Sequence, residues 1–175
     1  MKIENIVSSG SLNCRIDLKK LSDECEQVYY GHNKYPGGYV RFDGHSVTIY
    51  SNGKYIMPGM TSLEEVDSCF RTFLSILSPF LDVSKAEEPV VRNIVCSSEV
   101  GSVLNINRLC FLLSQMDYDV VYEPESFPGM ILKIDDTTYN IFGSGKFLIL
   151  GCSNIETASQ GEKHLLSLIE DLSSH

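Results

Sequence analysis

The residue types that bind metals or carry out catalysis are scattered along this chain rather than grouped. None of the four His residues, including His32 and His175, has Cys, Asp or Glu at the spacing of a metal site. The GSGK fragment (residues 143–146) lacks the full G-x-x-x-x-G-K-[ST] phosphate-loop pattern and lies between two predicted strands. The SSGS fragment (residues 8–11) is too short for a nucleophile motif. We therefore expect no catalytic site, no metal and no cofactor.

The six Cys residues show neither a C-x-x-C pair nor the spacing of zinc ligands. Each stands alone, which is typical of small core residues in a reducing cytosol. The opening stretch MKIENIVSSG lacks the apolar region of a signal peptide, and no apolar run reaches the length of a membrane span. We therefore expect a cytoplasmic protein without a membrane segment.

Aromatic side chains recur at matched positions in the two halves of the sequence. Tyr35 and Tyr50 are separated by 15 positions, and so are Phe127 and Phe142. The pairs themselves are 92 positions apart. The same offset relates the stretches IYSNGKYIMPG and IFGSGKFLILG, which contain the second member of each pair. An ordered series of such matches indicates an internal duplication.

A second match, near the start of each half, shows where the copies differ in length. The stretch ENIVSS around Asn5 is repeated as RNIVCSS around Asn93, with an offset of 88 positions. The difference of four residues predicts an insertion in the second copy, near QMDYDVV. We assign the copies to residues 1–88 and 89–175 and expect them to form one continuous structural unit.

Each copy is predicted to run strand, helix, three strands and helix. Asp17 is a predicted N-cap for the first helix, and the S-x-x-E pattern at Ser62 predicts a capping box for the second. The strands are joined by Asp-Gly and Asn-Gly, which suit tight hairpins because they tolerate positive φ. A short polar joint, SKAEEP, favours one shared sheet. We expect helices on one face of this sheet and an open opposite face.

Residues two positions apart on a strand share a face, which identifies the side chains on the open face. This face combines apolar residues with scattered Asn, Ser and Thr, and it carries the aromatic pairs, whose rings we expect to be exposed. From the residues alone, it could pack against another domain or carry the function. The predicted rows are Asn5, Val7 and Ser9; Thr48 and Tyr50; Ile56 and Pro58; Asn93, Val95 and Ser97; Thr138, Asn140 and Phe142; and Leu148 and Leu150.

The overall charge is acidic, with 14 Lys and Arg against 23 Asp and Glu and a formal net charge of -9. Attraction to phosphate needs clustered Lys and Arg, so the composition argues against a general polyanion binder. Net charge does not report where the charges lie, however. A few well-placed cations are compatible with a nucleic-acid ligand.

Together, these features resemble the TATA-box-binding protein family in its archaeal form. The resemblance rests on YEPESFPGMI, IFGSGKFLILG, LNCRIDL and the NIV that opens each half, and it covers the whole chain. It implies an α+β fold, a two-fold pseudosymmetric saddle whose ten-stranded antiparallel sheet carries four helices on the convex face. It also implies a nucleoid-associated protein that binds double-stranded A·T-rich promoter DNA and leads transcription factor B and RNA polymerase to it.

The resemblance also implies a role for individual residues in the minor groove. Aromatic wedges between base steps bend the duplex, and central Asn side chains contact acceptors on the groove floor. The expected DNA-binding residues are the wedges Tyr35, Tyr50, Phe127 and Phe142; the central Asn5 and Asn93; the floor residues Val7, Ile56, Val95 and Leu148; the rim cations Arg41, Lys54, Lys133 and Lys146; and, beside them, Ser9, Pro36, Thr48, Pro58, Ser97, Pro128, Thr138, Asn140 and Leu150.

Several departures from the family pattern indicate a divergent member. The wedges of the first half are Tyr, where the family typically has Phe. Thr48 and Asn140 stand where the family has aliphatic residues, and Pro58 and Leu150 replace a pair of Thr. Thr48 and Asn140 make the expected DNA surface more polar, and the changes together predict weaker or more specialised binding than that of a housekeeping member.

Glu123 and Glu125 lie in the loop of the second half that contacts transcription factor B in the family, and the first half has no counterpart. This asymmetry would let the partner recognise one end of the molecule. An alternative stays open, in which the chain is an adaptor or regulator that uses the same face mainly for protein; Thr48 and Asn140 favour it. The sequence also leaves open a homodimer formed without DNA.

Overall fold

The computed structural model describes residues 1–31 and 35–173. These residues form ten strands and four helices, and the chain divides into two compact units. The N-terminal unit comprises residues 5–92, and the C-terminal unit comprises residues 1–4 together with the chain from Asn93 onward. The predicted fold class, ten antiparallel strands with four helices, is confirmed. Within the described residues, no helix is long and apolar enough to span a membrane.

The strands of the N-terminal unit follow the hydrogen-bonded order β2-β3-β4-β5-β1, and each neighbouring pair is antiparallel. Helix α1 contacts β2, and helix α2 packs on β5. The elements are β1 (Lys2–Ser11), α1 (Leu18–Glu24), β2 (Val28–Tyr29), β3 (Gly37–Phe42), β4 (His45–Tyr50), β5 (Lys54–Met60) and α2 (Leu63–Leu77).

The C-terminal unit repeats this arrangement in the order β6-β10-β9-β8-β7. Helix α3 contacts β7, and helix α4 packs on β10. The elements are β6 (Val90–Glu99), α3 (Ile106–Gln115), β7 (Asp119–Val121), β8 (Met130–Ile134), β9 (Thr137–Ile141), β10 (Lys146–Cys152) and α4 (Ile155–Ser173).

Each half contains one strand more than the residue pattern predicted. The additional strands, β2 and β7, are only two and three residues long. Segments this short show no usable alternation, and they become strands by pairing with β3 and β8. The prediction of three consecutive strands in each half is therefore wrong, whereas the ten strands implied by the family resemblance are present.

The additional residues of the second half lie in α3 and the turn that follows it. The helix N-caps Asp17 and Asn105 keep the offset of 88 positions. In the strands that follow, Val28 of β2 is equivalent to Val120 of β7, so the offset there is already 92 positions. Helix α3 has 10 residues against 7 in α1, and Asp117 then turns the chain with a φ of 60°.

Alternating burial along the strands gives each unit a core face and an open face. In β1, Ile6 and Ser8 are buried beneath the helices, whereas Asn5, Val7 and Ser9 are half-buried on the other side. The same alternation holds in β4, β5, β6, β9 and β10. We call the side opposite the helices the open face of a unit.

Large aromatic side chains form the core of both units and require small neighbours. In the N-terminal unit the Tyr55 and Phe73 rings lie 5.4 Å apart between sheet and helix. A Cβ atom at Gly10 would approach the Tyr55 hydroxyl to 2.4 Å. Gly161 has the same relation to Tyr139 in the C-terminal unit, at 2.6 Å. Glycine at these positions therefore makes room for a buried tyrosine.

The predicted helix caps are confirmed. Asp17 accepts a hydrogen bond from the backbone N–H of Lys20 at 3.0 Å, and Ser62 accepts one from that of Glu65 at 3.1 Å. The Glu65 carboxylate accepts from the Thr61 N–H at 2.6 Å and the Thr61 hydroxyl at 2.9 Å. It thus binds the residue before the N-cap, whereas the carboxylate of a usual capping box binds the N-cap itself.

The Asp-Gly dipeptide forms the tight hairpin that the sequence predicted, because Asp43 and Gly44 both have positive φ (46° and 82°). The Asn-Gly dipeptide does not, since Gly53 alone has a positive φ (86°) in a three-residue loop. Gly145 has the same φ at the equivalent place. A Cβ atom at Gly53 or Gly145 would lie 2.3 or 2.1 Å from a backbone carbonyl oxygen. Both positions therefore require glycine.

Candidate functional site

The register of the strands aligns one residue from each of four neighbouring strands across the open face of each unit. All these side chains are half-buried, so they form a surface rather than a core. The rows are Tyr39, Thr48, Ile56 and Ser9 in the N-terminal unit, and Ile131, Asn140, Leu148 and Ser97 in the C-terminal unit.

A β-bulge at matched positions shapes the open face of each unit. The register shifts by one residue between β1 and β5 and again between β6 and β10. The additional residues include Gly59 and Gly151, whose φ values are 94° and 88°. Pro58 and Leu150 precede these glycines, and a bulge tolerates the proline because it interrupts the ladder of hydrogen bonds.

The bulges orient the two central asparagines. The Asn5 Oδ1 atom accepts a hydrogen bond from the Gly59 N–H at 2.8 Å, and the Asn93 Oδ1 atom accepts one from the Gly151 N–H at 3.2 Å. Because an N–H group can bond only to the oxygen of the amide, this contact decides which way each amide points. The NH₂ group is left on the other side with its two donors.

The four predicted wedge residues form two pairs. The rings of Phe127 and Phe142 meet edge to face, with centroids 5.8 Å apart. Those of Tyr35 and Tyr50 lie 6.2 Å apart, and their hydroxyls share a 2.7 Å hydrogen bond that raises the pKa of Tyr35. The rings were expected to be exposed, but only Tyr35 is; the other three rings are half-buried.

Glycines following two exposed prolines make the ring pairs possible. Pro36 and Pro128 lie between the first ring of each pair and Gly37 or Gly129. A Cβ atom at Gly129 would approach the Phe127 ring to 2.7 Å, and one at Gly37 would approach the Tyr35 ring to 2.8 Å. The Pro-Gly dipeptides of the repeated motif therefore position the rings.

The N-terminal unit extends its aromatic pair into a larger patch. Tyr35 stacks on Tyr39 with ring centroids 5.7 Å apart, and the Arg41 guanidinium lies 5.0 Å from the Tyr29 ring centroid and 5.7 Å from that of Tyr39. Such contacts hold the guanidinium against the protein surface. The equivalent residues of the C-terminal unit, such as Ile131, are not aromatic, so the two open faces differ most here.

The predicted rim cations are all exposed, but they differ in their surroundings. Arg41 is held by tyrosine rings, and Lys133 forms an ion pair with Asp119 at 3.7 Å. Lys54 and Lys146 begin β5 and β10, where each follows the glycine of its loop. Lys54 also lines a groove of about 420 Å³ on the open face of the N-terminal unit.

Opposite charges flank the two serines of the open faces. The Arg92 Nε atom donates to the Ser9 hydroxyl at 2.9 Å in the N-terminal unit. In the C-terminal unit the Ser97 hydroxyl donates to the Glu4 carboxylate at 2.6 Å, which lowers the pKa of Glu4. Glu4 and Arg92 are 88 positions apart, so they are equivalent residues of the two halves.

The loop before Phe127 presents the two predicted partner-binding carboxylates. Glu123 and Glu125 are both exposed. The backbone carbonyl of Glu123 accepts hydrogen bonds from the N–H groups of Ser126 and Phe127, both at 2.9 Å. The turn therefore ties the acidic loop to the ring pair of the same unit.

The structure adds four residues to the predicted surface: Tyr29, Tyr39, Arg92 and Ile131. Tyr39 and Ile131 lie two positions before predicted rim cations on the same strands, so the alternation rule could have found them. Tyr29 belongs to a strand too short to predict. Arg92 joins the surface only through its contact with Ser9, which no sequence pattern indicates.

The described residues hold no group of three or more His, Cys, Asp and Glu that could bind a metal ion. Two of the histidines considered in the sequence, His32 and His175, lie outside the described residues. All six cysteines are free thiols, and four of them are buried.

Comparison with known proteins gives a family match over nearly the whole chain. The family model described as transcription factor TFIID (or TATA-binding protein, TBP) matches residues 1–80 and 88–172.

Individual relatives and a solved structure agree with this match. The chain is similar to TATA-box-binding protein C of Halobacterium salinarum, with 31% identity over 98% of each chain. It is 30% identical to the TATA-box-binding protein of Pyrococcus abyssi, over 97% of this chain and 90% of that one. The structure of Methanococcus jannaschii TBP superposes with a TM-score of 0.82 at 27% identity, covering 97% of this chain and 98% of that one.

Proposed function

Because the chain belongs to the TATA-binding protein family, we propose that it is a transcription initiation factor for A·T-rich promoter DNA. In this proposal the open faces contact the minor groove, the aromatic pairs bend the duplex, and the protein–DNA complex recruits transcription factor B. The names of its relatives support the DNA ligand. The geometry of the open faces supports the mode of binding, as the next paragraphs argue.

The observation that carries the proposal is the fixed orientation of Asn5 and Asn93. The bulge N–H groups bind both amide oxygens, so each side chain directs its NH₂ donors away from the bulge. The minor-groove edge of A·T pairs presents only acceptors, adenine N3 and thymine O2, whereas a G·C pair adds the guanine amino donor. The two asparagines therefore suit A·T pairs and oppose guanine at the same place.

The ring pairs suit the bending of DNA. Proteins that bend DNA from the minor groove insert apolar side chains between base steps, at a cost of a few kcal/mol per step. The rings of Phe127 and Phe142 form one contacting pair, and those of Tyr35 and Tyr50 form the other. We propose that each pair acts as a single wedge, because its rings are already in contact before DNA binds.

The remaining residues of the open faces suit a groove floor and its rim. Val7, Val95, Ile56 and Leu148 are half-buried apolar residues between the polar positions. The exposed rim cations supply charges for phosphates, even though the whole chain carries a net charge of -9. Contacts with phosphates do not depend on the base sequence, and they weaken as the salt concentration rises.

The test compares duplexes that differ only in base composition. We expect the protein to shift a labelled A·T-rich duplex in a gel and to leave a G·C-rich duplex of equal length unbound at the same concentration. Fluorescence energy transfer between dyes at the duplex ends measures bending in the same samples. Equal affinity for both duplexes would contradict the proposal, and binding to transcription factor B alone would favour the adaptor.

Recruitment is tested by reversing the charge of the exposed loop. Complementary charges mainly determine the register and choice of partners at an interface. We expect the double change Glu123→Lys and Glu125→Lys to abolish the ternary complex with transcription factor B at moderate salt, while DNA binding alone stays equal or becomes slightly stronger. The matched control reverses Glu24 and Glu26, which are exposed at the end of α1 and just after it. An undiminished supershift by the loop variant would contradict the assignment.

A further inference from the structure

The proposal above assigns no specific contact to the polar side chain of Asn140, one of the expected DNA-binding residues. Asn140 is half-buried in the middle of β9, between Thr138 and Phe142 along the strand and between Ile131 and Leu148 across it. Within the part of the chain that the structure describes, no hydrogen bond involves its amide. Three of its four neighbours are apolar, so any ligand that covers this face also buries the amide.

Asn140 differs chemically from the two central asparagines. The oxygens of Asn5 and Asn93 point to backbone N–H groups of the bulges, so these residues turn their NH₂ donors to the other side. The Asn140 amide offers its oxygen as an acceptor in addition to its N–H donors. A ligand that covers Asn140 must therefore provide a donor, or the acceptor stays unpaired at a cost in affinity.

The minor groove contains one base donor. Adenine and thymine present only acceptors there, and the guanine amino group is the donor that a G·C pair adds. We propose that Asn140 accepts a hydrogen bond from this amino group, so that the chain favours a G·C pair at one defined position of an otherwise A·T-rich site. This inference rests on the proposed function, and it names the sequence class of the DNA.

The proposed preference belongs to one unit only. The equivalent residue of the N-terminal unit is Thr48, which pairs with Tyr39 and Ile56 as Asn140 pairs with Ile131 and Leu148. Threonine has a single hydroxyl on a short, branched side chain, whereas the asparagine amide extends further and holds donor and acceptor in one plane. A single G·C pair would therefore make the preferred site asymmetric.

The experiment uses inosine to isolate the guanine amino group. Each pair of an all-A·T box is replaced in turn by G·C or by inosine·C, which lacks that amino group, and the dissociation constant of each duplex is measured. At one position we expect the parent protein to bind G·C about two- to tenfold more tightly than inosine·C, the net effect of one hydrogen bond. Elsewhere we expect G·C to bind equally or more weakly.

Variants of Asn140 test whether this residue causes the preference for G·C over inosine·C. Asn140→Leu should remove the preference for G·C over inosine·C at that position, and Asn140→Asp should retain it, because the carboxylate still accepts. Asn107→Leu, on an exposed turn of α3, is the matched control and should keep the parental ratio. Thermal unfolding verifies that each variant is folded before its ratio is measured.

The outcomes separate this inference from the function on which it rests. A protein that binds the all-A·T box but prefers G·C nowhere, or whose preference survives Asn140→Leu, overturns the inference and leaves the proposed function intact. A protein that binds no A·T-rich duplex overturns the proposed function and the inference together. Loss of the preference in Asn140→Leu alone supports both.

Discussion

Three asparagines on the open faces show that a residue type acquires its chemistry from its backbone surroundings. Asn5 and Asn93 lie beside bulges whose N–H groups bind their oxygens, so they are donors. Asn140 lies in regular strand, where the backbone N–H groups bond to neighbouring strands, and it keeps its acceptor. The same amide therefore offers different hydrogen-bonding groups to a ligand at these positions.

The central asparagines can be tested by an isosteric change. Asn93→Asp keeps an acceptor for the Gly151 N–H but replaces the NH₂ donors with negative charge. We expect affinity for an A·T-rich duplex to fall at least about tenfold, a free-energy change of about 1.4 kcal/mol or more, with little change in thermal stability. Asn107→Asp, on an exposed turn of α3, is the control. Parental affinity in Asn93→Asp would exclude the donor role.

The ring pairs can be tested by truncation. Phe127→Ala should weaken binding and bending of DNA by more than about 1 kcal/mol, because a lost wedge gives up base stacking. The ring pair itself is worth about 0.5–1.5 kcal/mol to the fold, so unfolding in urea is measured in parallel. Phe111→Ala removes a ring that is 63% exposed on α3 and should leave bending unchanged. Equal bending by Phe127→Ala would contradict the wedge assignment.

At the scale of elements, contacts near the ends of strands and helices position the open-face residues. The bulges in β5 and β10 orient asparagines on β1 and β6, and the Pro-Gly turns before β3 and β8 place one ring of each pair. A similar local contact fixes the start of α2, where the Glu65 carboxylate accepts a hydrogen bond from the Thr61 N–H. These contacts are local, so single residues at the ends of elements control them.

The contact at the start of α2 predicts a dependence of stability on pH. The hydrogen bonds from Thr61 lower the pKa of Glu65 below its ordinary 4.5. The stabilisation is therefore complete above about pH 4.5 and is lost as the pH falls through the lower folded-state pKa. We expect Glu65→Ala to cost about 1 kcal/mol of unfolding free energy at pH 7. The difference from the parent should shrink markedly at acidic pH.

Urea unfolding at neutral and acidic pH measures this effect. Glu64→Ala is the matched control, because Glu64 lies in the same first turn and is exposed. Its substitution should cost less at neutral pH, where only the interaction with the helix dipole is lost. A cost of Glu65→Ala that is the same at both pH values would contradict the role of its charge.

At the scale of the molecule, we propose that residues 1–88 and 89–175 are two copies of one repeat. Matched contacts in the two units support this proposal, including the asparagine–bulge pairs and the glycines beside buried tyrosines. The copies differ at the tyrosine patch, the acidic loop, and the pair Glu4 and Arg92. These differences make the two units chemically distinct.

The distribution of charge predicts a moderate dependence of DNA binding on salt. The logarithm of the binding constant should fall against the logarithm of salt concentration with a slope of about -0.9 per phosphate contact, hence about -4 for four rim cations. Lys54→Ala should reduce this slope by about 1. Lys19→Ala, whose lysine pairs with Asp23 at 2.8 Å on α1, should leave it unchanged. A slope near zero would contradict phosphate contacts at the rim.

The sequence by itself determined the elements with strong local signals. The repeat, the alternation of strands and the caps at Asp17 and Ser62 depend on neighbours along the chain, so they could be predicted without a fold. The alternation also placed its predicted rows on the side of the strands that is not buried, although it left out Tyr39 and Ile131. It missed β2 and β7, because strands of two and three residues exist only through pairing with a partner strand.

Only the tertiary structure decided how the open-face side chains are oriented and paired. The direction of the Asn5 amide depends on a bulge more than 50 residues away, at Gly59, and the contact of Arg92 with Ser9 joins residues 83 positions apart. The Tyr35 and Tyr50 hydroxyls meet only when β3 pairs with β4. Residue types and periodicity report which side of a strand faces the core. The direction of a hydrogen bond depends on atoms that only folding brings together.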